Sequence, residues 1–473
     1  MAPSIQRKIS PLSPLQQYAK DVSAAADILT AFCIEQGLPQ PSFGAQAPSV
    51  TIPYSAPAEV QDARQQLISS AADLQKLATE PAEFLQNQAI HYQHLSCLRW
   101  LVEFEIFKHT PCGESISYEK LANNAKVPEF QLRSVTRMAM TSNLLCEPTP
   151  GHVSHNAVSA LFVKDWKQLE WANFMTTVSM PAAAGFAEAT RRWGADDEQN
   201  HVAFCVGMKT EKWPFEYWAQ SKELSDRFAR YMTSVQSSHS TSLEHLVNGF
   251  DWARLGAGVV VDVGGSTCSS TIALANAFPE LTLVTEDLPD TIANATKLLS
   301  AQPQSISRRI SAQAYNFFTP QPIQDGDIYL FRMIMHDWKN AECVAILRNQ
   351  LKSLKAKPSA RVLIMDTVLP PPGSISSVEE AILRVRDLAM IQSFNSTERD
   401  LTEFEELFRE SKDEDGSLVL QNVIRPAGSV MSVLEVAYER FGECSIAKEH
   451  ASEADGLYVN GDSVVVNAST KVV

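Results

Sequence analysis

The residues best able to do chemistry in this chain stand at the ends of short apolar runs in its second half. Val259–Val263 carries Asp262 and is followed by Gly264 and Gly265, and the run from Leu281 closes on Glu286 and Asp287. Asn316 and Phe317 end a third run, His336 and Asp337 a fourth and Asp366 a fifth, and Glu398 opens a helix beyond them. Paired glycines let a ligand approach the backbone, and an acid on the next strand bonds ribose hydroxyls, so the first two runs have the pattern of a nucleoside-binding βαβ unit. Cys268 stands where a dinucleotide fingerprint needs glycine. That disfavours NAD and leaves room for a smaller adenosyl ligand; the plainer alternative is a buried strand with a glycine turn. An imidazole near neutral pKa accepts a proton from an attacking hydroxyl, which makes His336 the candidate general base. Asp366 or Glu398 can bond its other nitrogen and fix its tautomer. The alternative is a structural His–Asp pair capping the next helix. Convergence of these groups on one edge of a sheet favours the catalytic reading.

Those positions require a sheet to hold them. From Gly256 onward strand and helix alternate, which predicts an α/β fold with a doubly wound, mostly parallel sheet and ligands at its carboxyl edge. Strands are expected at 309–318, 327–338 and 361–370, and helices at 340–354, 377–393 and 400–411. After the turn signal Asp415-Gly416, two alternating runs read as an antiparallel closing pair. Ahead of the sheet, residues 1–36 and 60–107 have helical periodicity, with a proline-rich connector between them. Leu95, Leu98, Leu101, Val102 and Ile106 form an apolar stripe, read as core or, by a small margin, as a dimer seam. Residues 115–163 have the order of a winged helix, but its second helix offers only Arg133 and Arg137 as cations, so a structural lobe is expected rather than a DNA reader. Residues 166–247 are helical and aromatic-rich; Trp213, Phe228 and Met232, with Met390 and Phe394 further on, are the expected pocket lining. This gives three regions: a helical 1–247, a catalytic 248–445 and a tail 446–473.

The chain has 473 residues and a net charge of −15, enough length for two or three cores and the wrong sign for binding phosphate backbones. Its eight cysteines include no C-x-x-C pair, which fits a reducing compartment and implies no zinc site. No apolar run reaches the length of a membrane span and no signal core follows the N-terminus, so a cytoplasmic protein is expected.

The blocks VDVGGS (261–266), AFPELTLVTEDLP (277–289), FFTPQP (317–322), FRMIMHDW (331–338), VLIMDTVLP (362–370) and ERDLTEFEEL (398–407) together resemble the S-adenosylmethionine-dependent O-methyltransferases of the plant caffeate type and their fungal secondary-metabolism relatives. The resemblance implies a Rossmann-like catalytic domain behind a helical dimerisation and winged-helix domain, usually in an intertwined homodimer. It implies that Asp262, Gly264 and Gly265 lie under the methionine part of the cofactor, that Asp287 (with Glu286 beside it) holds the ribose, and that Asn316 and Phe317 lie along the adenine. His336 would be the base between Asp366 and Glu398, with Asp337 and His155 of the winged-helix hairpin facing substrate. The acceptor would be a phenolic or enolic hydroxyl of an aromatic or polyketide-like metabolite. Some members of this fold are instead pericyclases or dehydratases that bind the cofactor and transfer no methyl group; retention of His336 favours methyl transfer. The chain departs from the family at Cys268 (usually glycine), Asn316 (usually aspartate), Asp366 (usually glutamate) and in a longer tail.

Overall fold

The computed structural model describes residues 12–196 and 198–442. They form two compact units: 12–177 with the short segment 376–379, and 178–375 with 380–442.

The first unit opens with a hairpin of helices, Pro14–Glu35 and Ala58–Ala78, closed on a small core of Ala25, Leu29, Cys33, Ile52, Val60 and Ala63. The periodicity expected to run through 60–107 breaks at Pro81, whose ring and missing N–H cannot continue the ladder, and resumes as Phe84–Glu103. Helices Tyr118–Ala125 and Glu129–Met140 then lie between strand Ile116–Ser117 and the hairpin Cys146–Thr149 and His152–Ser154, and the three strands form one antiparallel sheet, the order expected of a winged helix. The apolar stripe turns inward. Leu101 and Ile106 are fully buried with Tyr118, Leu121, Leu132 and Val153, and Leu98 and Val102 pack against them. Leu101 and Ile106 of the stripe are therefore core of this unit, with Leu98 and Val102 at its margin. Arg137 is paired with Glu147, Arg133 with Glu129, and both lie over the Tyr118 ring.

The second unit holds a seven-stranded sheet: β1 Val259–Val263, β2 Thr282–Asp287, β3 Ile310–Ala314, β4 Ile328–Arg332, β5 Arg361–Asp366, β6 Gly416–Ile424 and β7 Ser432–Arg440. Its order is β6-β7-β5-β4-β1-β2-β3, and β7 alone runs against its neighbours. Helices cover both faces, so the central strands read as continuous apolar runs rather than alternating ones. One face packs Val261, Val263, Tyr329 and Phe331 under Cys343, Leu347, Leu354, Phe404 and Phe408. The other packs Val260, Leu283, Leu330 and Leu363 under Leu274, Ala295 and Leu299. Each such side chain taken from water contributes ~1.5–3 kcal/mol, so the sheet is a stiff platform for its edge.

Three strands are shorter than the apolar runs that announce them, and each shortening builds the site. β4 stops because Met333 turns left-handed (φ 56°), and a 3-10 turn, Met335–Asp337, follows. β5 stops at Asp366, whose carboxylate accepts from Met335 N. β3 stops where Asn316 accepts from Phe318 N in a side-chain turn. The boundary expected at 247 lies at 177 instead. The helices between pack with the sheet: Phe215 stacks on Phe394, Thr241 O accepts from Arg332, and Leu246 enters the sheet core. The tail expected at 446–473 lies outside the described residues.

Candidate active site

The carboxyl edge of the sheet gathers the chemistry-bearing residues of the second unit. At the end of β1, Gly264 has φ 77°, and a Cβ there would meet Ile334 at 2.6 Å, so only glycine leaves this approach open. The amides of Gly264 and Gly265 donate to Glu286 O at 2.8 and 3.0 Å, and Ser266 N donates to Asp287 Oδ2 at 2.9 Å. Asp262 is buried beneath this loop with Oδ2 unpartnered. Burial pushes its carboxyl up to about 7 against the pull of Arg332. Cys268 caps the following helix, Ser269–Ala277, with φ 64°, the left-handed conformation that explains why glycine is usual there. The turn is still made, with the thiol buried inside it.

Asp287 and Glu286 are adjacent in sequence and turn to opposite faces of β2. Asp287 lies at the loop, its other oxygen accepting from Leu288 N at 2.7 Å. Glu286 is fully buried and accepts from Gln321 Nε2 at 2.9 Å. Expected beside the ribose, it lies instead on the face of β2 shared with Val284, which packs under Leu347 and Leu354, opposite Asp287. Asn316 is exposed, and Phe317 packs edge-on against Trp338 with its ring 5.7 Å away. A Cβ on Gly264 would lie 3.8 Å from the Phe317 ring, so the loops after β1 and β3 meet there. An unpartnered buried carboxylate oxygen, a glycine-lined approach and an acid at the tip of β2 fit a bound adenosyl group.

His336 is buried at the end of the β4 turn. Its Nδ1 donates to Glu398 Oε1 at 3.1 Å and lies 3.6 Å from Asp366 Oδ1; among the described residues Nε2 has only Asp337 Oδ1, at 3.7 Å. Burial acts first, disfavouring the imidazolium, but Glu398, Asp366 and Asp337 together outweigh it and push the pKa up to about 10. Asp366 is itself pushed up by burial to about 6, and Glu398 is held low by His336 and Arg386 against the opposite pull of burial. Ser396 Oγ donates to His336 O at 2.6 Å and Arg399 Nη1 to Met335 O at 2.7 Å, so the segment 396–399 clamps the turn as well as supplying the acid.

Among the expected pocket residues, Trp213, Phe228 and Phe394 join one aromatic cluster through Phe215. Met232 and Met390 are half-buried on helices Lys222–Gln236 and Ser377–Phe394. His155 belongs to the first unit. Its Nε2 lies 3.1 Å from both Phe107 O and Thr110 O, and its Nδ1 lies 3.0 Å from Ser159 Oγ. Both nitrogens are thus occupied, and the side chain ties that unit together.

The sequence reading missed Arg332. It is largely buried between Asp262 and Asp366, donates to Thr241 O at 2.7 Å and has Nε unpartnered. A single cation closing the apolar strand IYLFR was the available signal. Gln321 and Ser396 carry no comparable signal, since either reads as an ordinary loop residue.

Residues 192–412 match the family model of the O-methyltransferase domain, and residues 12–79 match the model of the trypacidin cluster transcriptional coactivator tpcD N-terminal domain. The O-methyltransferase pgmB of Aspergillus terreus is 44% identical, covering 90% of this chain and 96% of that protein. The O-methyltransferase aurJ of Gibberella zeae is 41% identical, covering 91% and 99%.

This chain belongs to the fungal O-methyltransferases.

Solved structures share the fold. OxaC in complex with sinefungin and meleagrin superposes with a TM-score of 0.67 at 18% identity, covering 89% of this chain and 99% of that one. LepI in complex with S-adenosylmethionine gives 0.64 at 18%, covering 89% and 100%. A structure described as a pericyclic reaction enzyme gives 0.65 at 18%, with the same coverage. The enzyme is an O-methyltransferase of mostly parallel α/β fold. No described helix is long and apolar enough to cross a membrane.

Proposed function

We propose that this enzyme methylates a phenolic or enolic hydroxyl of a small aromatic or polyketide-like metabolite, with His336 as the base. The observation that carries the reading is the asymmetry of the imidazole: Nδ1 is tied to Glu398, while Nε2 makes no hydrogen bond among the described residues. When bound, S-adenosylmethionine supplies an electrophilic methyl carbon on a sulfonium. Asp262, Gly264 and Gly265 would hold its methionine end, Asp287 its ribose, and Asn316 and Phe317 its adenine. The chain's own work is alignment and proton transfer. A phenol ordinarily ionises near ~10, so it matches an imidazolium held at about 10, and the proton is shared at little cost. Positive charge entering the site opposes the imidazolium and favours the neutral base. Glu398 and Asp366 keep the ring oriented, Asp337 flanks the open nitrogen, and Trp213, Phe228, Met232, Met390 and Phe394 would line the acceptor site. We further take the working form to be a cytoplasmic homodimer that binds neither nucleic acid nor membrane.

A second reading has an observation of its own. Below pH 10 the cluster holds His336 as a cation, which can polarise a carbonyl and steer a cyclisation or dehydration with no methyl transferred. Incubation with methyl-labelled S-adenosylmethionine and candidate phenolic and polyketide metabolites separates the two. Label in a product, with equal release of S-adenosylhomocysteine, supports methyl transfer. An isomerised or dehydrated product without label replaces it with the second reading.

A further inference from the structure

Glu286 has chemistry that neither methyl transfer nor ribose binding uses. Its carboxyl is fully buried on the face of β2 shared with Val284, and among the described residues no cation pairs with it. Oε2 accepts from Gln321 Nε2 at 2.9 Å, and Oε1 has no partner. The same residue's main-chain carbonyl accepts from both Gly264 N and Gly265 N. Glu286 therefore holds the glycine loop with its backbone and reaches the loop after β3 with its side chain.

Gln321 is fixed in turn. Its amide nitrogen also lies 3.3 Å from Gln350 Oε1, its Oε1 accepts from Ile323 N at 3.0 Å, and its backbone N donates to Asn349 O at 3.1 Å. Asn349 Nδ2 then donates to Phe317 O at 2.9 Å. A continuous polar path thus runs from the amides of Gly264 and Gly265 through Glu286, Gln321 and Asn349 to Phe317, inside an otherwise apolar core. A path of this kind couples the position of one loop to that of the other.

We propose that Glu286 is a positioning residue that acts as a neutral carboxyl, latching the glycine loop to the Phe317 loop and thereby setting cofactor affinity according to pH. The inference rests on these loops being the cofactor site. A carboxylate so buried and without a cation is costly, and burial pushes Glu286 up to about 7. The other titratable groups against it are Tyr315 and Tyr329, both raised by burial and neutral throughout this range. Below pH 7 the carboxyl is neutral and the latch is closed. As pH rises through 7 an uncompensated charge appears in the core, and the latch loosens. Asp262 titrates in the same window, so the diagnostic quantity is the difference between wild type and variant rather than the slope itself.

The test is calorimetric binding of S-adenosylhomocysteine from pH 6 to 8.5, which needs no acceptor and so stands apart from the question of methyl transfer. Glu286→Gln keeps the shape and removes the charge. It should retain at pH 8.5 an affinity that wild type loses by about five- to tenfold relative to the variant. Gln321→Leu breaks the same latch from the other loop and should weaken binding about fivefold at pH 6, where Glu286 is neutral. A Glu286→Gln protein whose affinity follows the wild-type pH curve overturns the proposal. So does a folded Gln321→Leu protein that binds as wild type at pH 6. Thermal melts of the unliganded variants identify a purely structural role, which would lower stability and leave the pH difference at zero.

Discussion

Two buried histidines, one in each unit, show how much of a side chain's role depends on its neighbours. His155 and His336 are 2% and 5% exposed, so burial does not distinguish them. His155 meets two backbone carbonyls and a serine, and burial leaves its pKa depressed. His336 meets three carboxylates, and its pKa rises to about 10. The first is a neutral ring with both nitrogens in use. The second has one nitrogen held by Glu398 and one left open, among carboxylates that favour its charged form. Equal burial therefore leaves one ring a fastener and the other, in the function proposed here, a proton-transfer group.

The sharpest way to break that contrast is to remove each ring. His336→Ala should lower methyl transfer at least ~100-fold, read as label moved per minute, with little change in S-adenosylhomocysteine binding. Unchanged transfer would take His336 out of the proton-transfer role. The next test is Glu398→Gln, which removes the charge bonded to Nδ1. The imidazolium pKa then falls from about 10, and because the neutral ring is the base, the acidic limb of the kcat/KM profile shifts to lower pH. A rate loss of roughly tenfold from the weakened hydrogen bond should accompany the shift. A limb that stays in place would mean that Asp366 and Asp337 alone set the charge.

His155→Ala should act in a different quantity. Leaving the Phe107 and Thr110 carbonyls unpaired in a core costs about 1–3 kcal/mol, measurable by urea unfolding, and the position of the pH limb should not move. A displaced limb would make the two histidines more alike than their neighbours suggest. The smallest effect is expected at Cys268→Gly. Relief of a left-handed φ of 64° is worth up to ~1–2 kcal/mol, and loss of a fully buried thiol offsets much of it. Urea midpoints of the two proteins should differ by no more than about 1 kcal/mol in stability.

The site residues legible in the sequence are those whose chemistry sits at a strand end. Asp262, Gly264, Gly265, Asp287, His336 and Asp366 all follow apolar runs whose parallel pairing brings their ends together, and the register confirms that order for β1, β2, β4 and β5. Glu286 was misplaced because a strand end has two faces, and the face was hidden until Gln321 was seen against it. The apolar stripe at 95–106 was legible as a buried face, but periodicity does not name what covers it. The boundary at 177 rather than 247 has the same origin: helices look alike in sequence whether their aromatics meet the first unit or Phe394.

By itself the sequence determined the α/β order of the second unit, the residues at its carboxyl edge and the absence of a dinucleotide fingerprint. These follow from local patterning: apolar runs, glycines and turn residues act over a few positions. Only the tertiary structure decided that Nδ1 of His336 belongs to Glu398, that Arg332 lies between Asp262 and Asp366, and that Glu286 bridges two loops. Glu398 is 62 residues from His336 in the chain, and Gln321 is 35 from Glu286. At such separations the charge a buried group carries depends on which neighbours the fold brings within hydrogen-bond reach, and no local pattern encodes that.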